Sequence, residues 1–359
     1  MAERHEVRPF EVGVDVRRGA LGKAAALAGG LARLDAWLAR ELPRADAVLA
    51  WFADYHTARV TARAARRGVP VLMPLGGYDA MRVPSLGYGV FASRWRAGLA
   101  RAALRRATVL LPVSASLVAS RNDFGSVGWQ GIDVFAPGHA PAALVPTGYD
   151  ADAWPLGPDD RAPSVLSVAT VDSHTTFRRK GLDVLLEVAR RMPDVPFEIV
   201  GLRLPESEVR ARYAPPANVA LRPAVPREAL AARYGAASVY LQLSRAEGMP
   251  NVVCEAMLCG AVPVGSAAFG IPDAIGAAGF VVPRAEPAAI AATVRKALRA
   301  PAALRHAARA HVATQFPRAR RRWALERLLA GCAAGEAPVA LAAEVSAWTP
   351  ATPMPRPAP

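Results

Sequence analysis

A chain of 359 residues is long enough for two domains of ordinary size, each with a sizeable core. Its formal charge of +14 suits nucleic acid, anionic lipid or phosphorylated ligands alike, yet no zinc spacing or aromatic-interleaved basic strand favours a nucleic-acid module, so no nucleic-acid partner is expected. No run of about eighteen apolar residues lacks Gly, Pro or charge, and Met1 to Glu6 is too polar for a secretory signal; with three cysteines in neither a metal nor a disulfide pattern, a reducing cytoplasmic setting is expected.

In chain order, Met1 to Gly19 contains no glycine-rich loop. Gly19-Ala20-Leu21-Gly22-Lys23-Ala24 hints at a phosphate loop but lacks its spacing and the Ser/Thr that would hold magnesium. Ala45 to Trp51 and Val69 to Met73 read as strands around a helix from Tyr55 to Arg67, a doubly wound unit. Leu75-Gly76-Gly77-Tyr78-Asp79 follows, and a strand-to-helix turn or a loop lining a cleft accounts for it equally well. Phe91 to Ala107 sets Arg94, Arg96, Arg101, Arg105 and Arg106 among Trp95, Leu99, Ala103 and Leu104. Such a helix either lies on anionic lipid or packs on its own domain with its arginines in water.

Pro163 to Ala169 reads as a buried strand, Arg178 to Glu187 as an amphipathic helix start, and Phe197 to Gly201 as the next strand. Lysine occurs only at 23, 180 and 296 in this arginine-rich chain, so its presence in Arg178-Arg179-Lys180-Gly181-Leu182-Asp183 carries information.

The most informative stretch is Ser244 to Gly260. It follows the short apolar run Ser238 to Leu243 and leads into Val252, Val253, Ala256 and Met257 at helical spacing, with Pro250-Asn251 as the start signal and Gly260 as the stop. The pattern reads strand, tight turn, helix, and such a turn aims free N–H groups and a positive helix end at an anion such as a diphosphate. Glu247 sits in the turn, where it can reach the reacting end of a ligand. Glu255, eight positions on, is placed to accept the hydroxyls of a ribose.

These residues carry a resemblance. Glu247 to Glu255 with Gly248-Met249-Pro250-Asn251 between them, then Glu255-Ala256-Met257, Val262-Pro263-Val264-Gly265 and Gly270-Ile271-Pro272, resembles the donor-binding half of the retaining glycosyltransferases of family 4, the glycosyl transferases group 1. The resemblance implies an α/β protein of GT-B type, two Rossmann-like doubly wound domains facing a cleft. It divides the chain into an acceptor-side domain over 1–148 apparently lacking its first βα unit, a hinge at 149–162, a nucleotide-sugar domain at 163–316, a crossover helix at 317–330 and a tail at 331–359. The tail is expected to be disordered, because its Ala, Pro and Thr cannot build a core. Asp150-Ala151-Asp152 mimics a metal-binding pair of another transferase fold, but follows Val145 to Tyr149, which resembles the interdomain hinge, and reads as linker. With six scattered histidines, no metal site and no cofactor beyond the co-substrate are expected.

By resemblance, Arg179 and Lys180 hold the leaving diphosphate, although Ala169-Thr170 stands where relatives often carry Gly-Arg. Two cations bind a pyrophosphate and stabilise the charge that grows as the sugar leaves. Glu247 contacts sugar hydroxyls beside the reacting carbon. Glu255 holds the ribose, the N–H groups around Asn251 and Val252 help hold the diphosphate, and Gly248, Met249 and Pro250 stand with them as substrate-binding residues. Gly76 stands where many relatives carry an active-site histidine, and Gly76, Gly77 and Asp79 are candidates to line the cleft. The implied enzyme is a hexosyltransferase of retaining, metal-independent type. It moves a sugar from a UDP- or GDP-sugar to a glycan or lipid-linked acceptor for cell-surface polysaccharide or glycolipid, at the inner face of the membrane if the basic helix touches lipid. The alternatives are another GT-B nucleotide-sugar enzyme, an epimerase or phosphorylase, and a non-catalytic nucleotide-sugar-binding subunit.

Overall fold

The computed structural model describes residues 5–12 and 20–352. Residues 1–4 and 13–19, which hold most of the segment read as lacking a glycine-rich loop, lie outside the described residues, as do 353–359.

The first half opens on helix α1 (Ala20–Glu41), followed by β1 (Val48–Leu49), α2 (Tyr55–Ala65), β2 (Val71–Leu75), α3 (Arg94–Arg106) and β3 (Val109–Pro112). The three strands form a parallel sheet in the order β1-β2-β3, in register at Val48↔Val71 and Leu72↔Val109. The near-continuous apolar runs at 71–75 and 109–112 are buried throughout, as strands covered on both faces require. On one face Leu34 and Leu38 of α1, with Leu42 just after it, pack against Val60, Ala64 and Val71. Asp54 starts α2 with a capping box completed by Thr57. A hairpin of β4 (Ser120–Asn122) and β5 (Gly128–Gln130) and the short helix α4 (Ile132–Phe135) complete this half.

The second half alternates β6 (Val165–Val171), α5 (His174–Arg179), α6 (Leu182–Arg190), β7 (Phe197–Leu202), α7 (Glu206–Tyr213), β8 (Val219–Pro223), α8 (Arg227–Ala236) and β9 (Val239–Gln242). It continues through α9 (Asn251–Leu258), β10 (Val262–Ser266), α10 (Ile271–Ile275), β11 (Phe280–Val282), α11 (Pro287–Leu298) and α12 (Ala302–Gln315). Its six strands are all parallel, in the order β11-β10-β9-β6-β7-β8. The stretch read as one helix start at 178–187 is two helices, because Gly181 in the left-handed region (φ 68°) ends α5 and turns the chain into α6.

The chain crosses between the halves twice, and the crossings are tied together. The Tyr149 N–H donates to the Phe316 carbonyl at 2.9 Å and the Arg318 N–H to the Tyr149 carbonyl at 2.8 Å. Beyond them α13 (Arg318–Ala333) and α14 (Pro338–Ser346) return to the first sheet, where Leu325, Leu328, Leu341 and Val345 cover Leu72, Val109 and Leu111. This corrects the disordered tail over 331–352. Leu341 and Val345, one helical turn apart, suffice for an apolar stripe, and Ser346 Oγ accepts the Leu144 N–H at 2.9 Å. Composition alone hid this, since alanine and proline surround a few large side chains. Among the described residues, no helix is long and apolar enough to cross a membrane.

Candidate active site

In the second sheet the strand order reverses at β6 and β9, and the crevice above the carboxyl ends of two such strands is where an open parallel sheet takes its ligand. The turn leaving β9 carries Glu247, and the turn between α5 and α6, the helices that follow β6, carries Lys180. A Cβ on Gly181 would lie 1.8 Å from the Leu243 carbonyl oxygen, so only glycine lets the α5–α6 turn pass the end of β9 this closely. That approach brings the two side chains together.

Lys180 Nζ donates to Glu247 Oε1. The same oxygen accepts from Ser244 Oγ at 2.9 Å and Gln242 Nε2 at 3.4 Å, both on buried residues. Ser266 Oγ in turn donates to the Ser244 carbonyl at 2.6 Å. Burial pushes the Glu247 carboxyl upward, but the charge and hydrogen bond of Lys180, the charge of Arg179 and the Ser244 hydroxyl outweigh it and hold the group below its ordinary range. Glu247 is therefore ionised at neutral pH, an acceptor for hydroxyls. Arg179 reaches to the first domain, its guanidinium 4.6 Å from the ring centre of Tyr88, whose phenol burial pushes up to about 12.

Pro250 gives α9 its extended entry (φ −74°, ψ 110°), and no side chain caps the helix. Orphan N–H groups in the first turn, those of Asn251 and Val252 among them, are thereby left for a ligand. Asn251 is exposed and its Oδ1 accepts from Tyr149 Oη at 2.9 Å, which ties this turn to the segment where the chain first crosses between the halves. Met249 is packed into the core beneath. Glu255 lies one turn further on, half-buried, where its Oε2 accepts from Tyr234 Oη at 3.3 Å. Burial raises its pKa, opposed by that hydrogen bond and by the charge of Arg227.

The first domain meets this site through Gly76 and Gly77. A Cβ on Gly248 would lie 1.8 Å from the Gly76 carbonyl oxygen, one on Gly77 would lie 2.8 Å from the Gly248 nitrogen, and one on Gly270 would lie 1.8 Å from the Gly248 carbonyl oxygen. These backbones stack across the cleft, and any side chain in the stack would separate them. Asp79 is fully buried. Its carboxylate accepts the N–H groups of Gly77 at 2.9 Å, Gly76 at 3.1 Å and Ala53 at 3.4 Å. Burial raises it to about 6 against those hydrogen bonds. Asp79 thus shapes the glycine loop, and its oxygens are spent on backbone.

Several groups escaped the sequence reading. Tyr149 sits where the chain first crosses between the halves and Tyr88 in a loop, with no periodic pattern to flag either. Asn122 Nδ2 donates across the cleft to the Arg245 carbonyl at 2.9 Å, and Ser114 Oγ to Asp273 Oδ2, pairings of residues far apart in the chain. Gln242 did leave a signal, as a polar residue interrupting the buried run 239–243.

Residues 162–300 match the family model described as Glycosyl transferases group 1. No curated protein matches the chain. Among solved structures, the sucrose-phosphate synthase of Thermosynechococcus elongatus is similar over 87% of this chain and 79% of its own, with 18% identity and a TM-score of 0.68. The UDP-forming α,α-trehalose-phosphate synthase of Burkholderia xenovorans, in complex with glucose-6-phosphate, follows at 18% identity and TM-score 0.60, with 86% and 80% covered. HepE of Anabaena, in complex with UDP and glucose, has 17% identity and TM-score 0.58, with 83% and 80% covered. Likenesses at this identity establish the fold: two Rossmann-like domains facing a cleft, the GT-B arrangement.

Proposed function

We propose that this chain, whose residues 162–300 form a group 1 glycosyltransferase domain, is a retaining glycosyltransferase that moves a hexose from a nucleotide diphosphate sugar to a glycan or lipid-linked acceptor. The observation that carries the reading is the Lys180–Glu247 pair at the sheet's switch point, beside the uncapped start of α9. In this reading the N–H groups of Asn251 and Val252 take the diphosphate together with Lys180 and Arg179, without an essential metal. Their positive charge is in place before the sugar–phosphate bond breaks, so it stabilises the charge that develops on the departing oxygen. Glu255 accepts the ribose hydroxyls. Glu247, held ionised by Lys180, accepts hydroxyls of the sugar and orients its ring. The acceptor hydroxyl attacks the anomeric carbon on the face the phosphate is leaving, and the departing phosphate oxygen takes its proton, so no protein base is needed. The Gly76–Gly248–Gly270 stack brings the domains close enough to exclude water and favour transfer over hydrolysis.

Two similar structures are named for UDP, one as a complex and one as a UDP-forming enzyme, which makes a UDP-sugar the first donor to test. For the acceptor side, Arg96, Arg101 and Arg105 of α3 are tied to Asp54, the Phe135 carbonyl and the Pro137 carbonyl. Trp95, Leu99, Arg94 and Arg106 remain exposed, a surface that suits peripheral contact with anionic lipid at the inner face of a membrane. The deciding experiment is thermal-shift binding of UDP-, GDP- and ADP-sugars with EDTA present, followed by detection of nucleotide release and glycosidic product. Transfer to an acceptor supports the reading. Release of an isomerised sugar, a requirement for phosphate, or binding without turnover each refutes it in favour of an epimerase, a phosphorylase or a binding subunit.

A further inference from the structure

The loop after β1 leaves two aromatic rings about half exposed. Trp51 is 46% exposed and Phe52 44% exposed, with ring centres 6.1 Å apart. Phe52 has φ +64°, a conformation rare for a bulky side chain, and such outliers cluster at functional sites. Its surroundings enforce it. The Phe52 N–H donates to the Pro74 carbonyl at 3.2 Å, its carbonyl accepts from Thr57 Oγ1 at 2.8 Å, and the next peptide N–H, that of Ala53, reaches Asp79.

That conformation delivers the Phe52 ring to a particular place. A Cβ built on Gly76 would lie 2.6 Å from Phe52 Cε1, so the ring fills the space that a side chain at position 76 would occupy. The carbonyl of the same Gly76 packs against Gly248, the neighbour of Glu247. The exposed rings are therefore continuous with the cleft wall beside the reacting end. They also stand at the carboxyl end of a parallel strand, where such sheets take ligands.

We propose that Trp51 and Phe52 form a stacking surface for the acceptor's sugar ring, orienting the attacking hydroxyl toward the anomeric carbon above Glu247. The inference rests on the glycosyltransferase reading. A pyranose suits the place because its C–H face matches a flat ring while its hydroxyls stay at the polar rim, the usual division of labour in a ligand site. An acyl chain would need a broad apolar face instead, whereas Trp51 is bordered by His56, whose Nε2 lies 3.2 Å from the Trp51 carbonyl, and by Arg321, 5.7 Å from the indole centre.

The test measures nucleotide release with p-nitrophenyl glycosides of glucose, galactose, mannose and N-acetylglucosamine as acceptors, for wild type, Trp51→Ala and Phe52→Gly. Glycine suits the φ of position 52, so that variant removes the ring without native backbone strain, and a cooperative thermal transition with unchanged donor Kd verifies its fold. The expected result is an acceptor KM raised about fivefold to tenfold in each variant, with kcat changed less and donor Kd within about twofold by calorimetry. Acceptor KM unchanged in both variants overturns the proposal. So does a wild type that transfers to other acceptors yet is saturated by none of these glycosides, and so does loss of binding to phosphatidylglycerol vesicles at unchanged acceptor KM. A wild type that binds no nucleotide sugar instead refutes the underlying reading, and the stacking surface falls with it.

Discussion

Replacing Lys180 with alanine tests the centre of the site through both stability and activity. The Lys180 and Glu247 side chains retain 16% and 12% of their exposure, so removing the ammonium leaves a carboxylate largely cut off from water. Breaking a buried pair from one side costs about 3–5 kcal/mol. Ser244 and Gln242 still donate to Glu247 Oε1, which places this site at or just below the lower end, about 2–3 kcal/mol near neutral pH. The sign of the pH dependence follows. In the wild type the folded pKa of Glu247 is depressed. Its contribution is present above the unfolded value of about 4.3 and is lost as pH falls through the folded pKa. In Lys180→Ala both contributions of Lys180 are gone and burial, the largest cause, is opposed chiefly by the Arg179 charge and the Ser244 hydroxyl, so the folded pKa should rise from its wild-type position and the penalty should be relieved as pH falls through it. Urea unfolding of both proteins should thus give a stability gap that is full at about pH 7.5 and roughly halved at about pH 4.5. Transfer at neutral pH should fall by about 10²–10³, the effect of losing one group that stabilises developing charge. A gap below about 0.5 kcal/mol, the ordinary size of a surface effect, or one independent of pH, would refute the buried-pair argument. Near-native turnover would remove Lys180 from the diphosphate site.

Three further outcomes follow from the same geometry. Glu255→Ala should weaken UDP binding about tenfold or more, through loss of charge-assisted hydrogen bonds, and should abolish the preference for UDP over 2′-deoxy-UDP in calorimetry; a retained preference would place the ribose elsewhere. Gly248→Ala sets a Cβ against the Gly76 carbonyl and should hold the domains apart, so transfer falls about 10²-fold or more while the thermal midpoint stays close to wild type; unimpaired transfer would show that closure does not use this stack. Leu341→Ala should cost about 2–4 kcal/mol in urea unfolding, because the side chain is fully buried against the first sheet; a loss under about 0.5 kcal/mol would mean that α14 contributes little.

Local patterns carried much of this architecture. The buried runs at 71–75 and 239–242, the start of α9 at Pro250-Asn251 and the stop at Gly260 are written in neighbouring residues, because strands and helix ends obey short-range rules. The spacing of Glu247 and Glu255 and the rare lysine at 180 likewise stand in the chain itself. Where the reading of the tail went wrong, a long-range partner was the cause. The tail from 331 looked too poor in apolar residues to fold, yet the first sheet supplies the surface that Leu341 and Val345 lack on their own side. The same limit hid Tyr149 and Tyr88, which matter only through Asn251 and Arg179.

By itself, then, the sequence determined which turns can receive an anion and which side chains are chemically fit to hold one. It could not determine that Lys180 meets Glu247, that Asp79 spends its oxygens on the Gly76–Gly77 loop, or that the Phe52 ring occupies the space beside Gly76. Those are contacts between segments far apart in the chain. They exist only once the order of strands in a sheet and the close approach of two backbones have been settled by packing, and no periodicity within one segment encodes that.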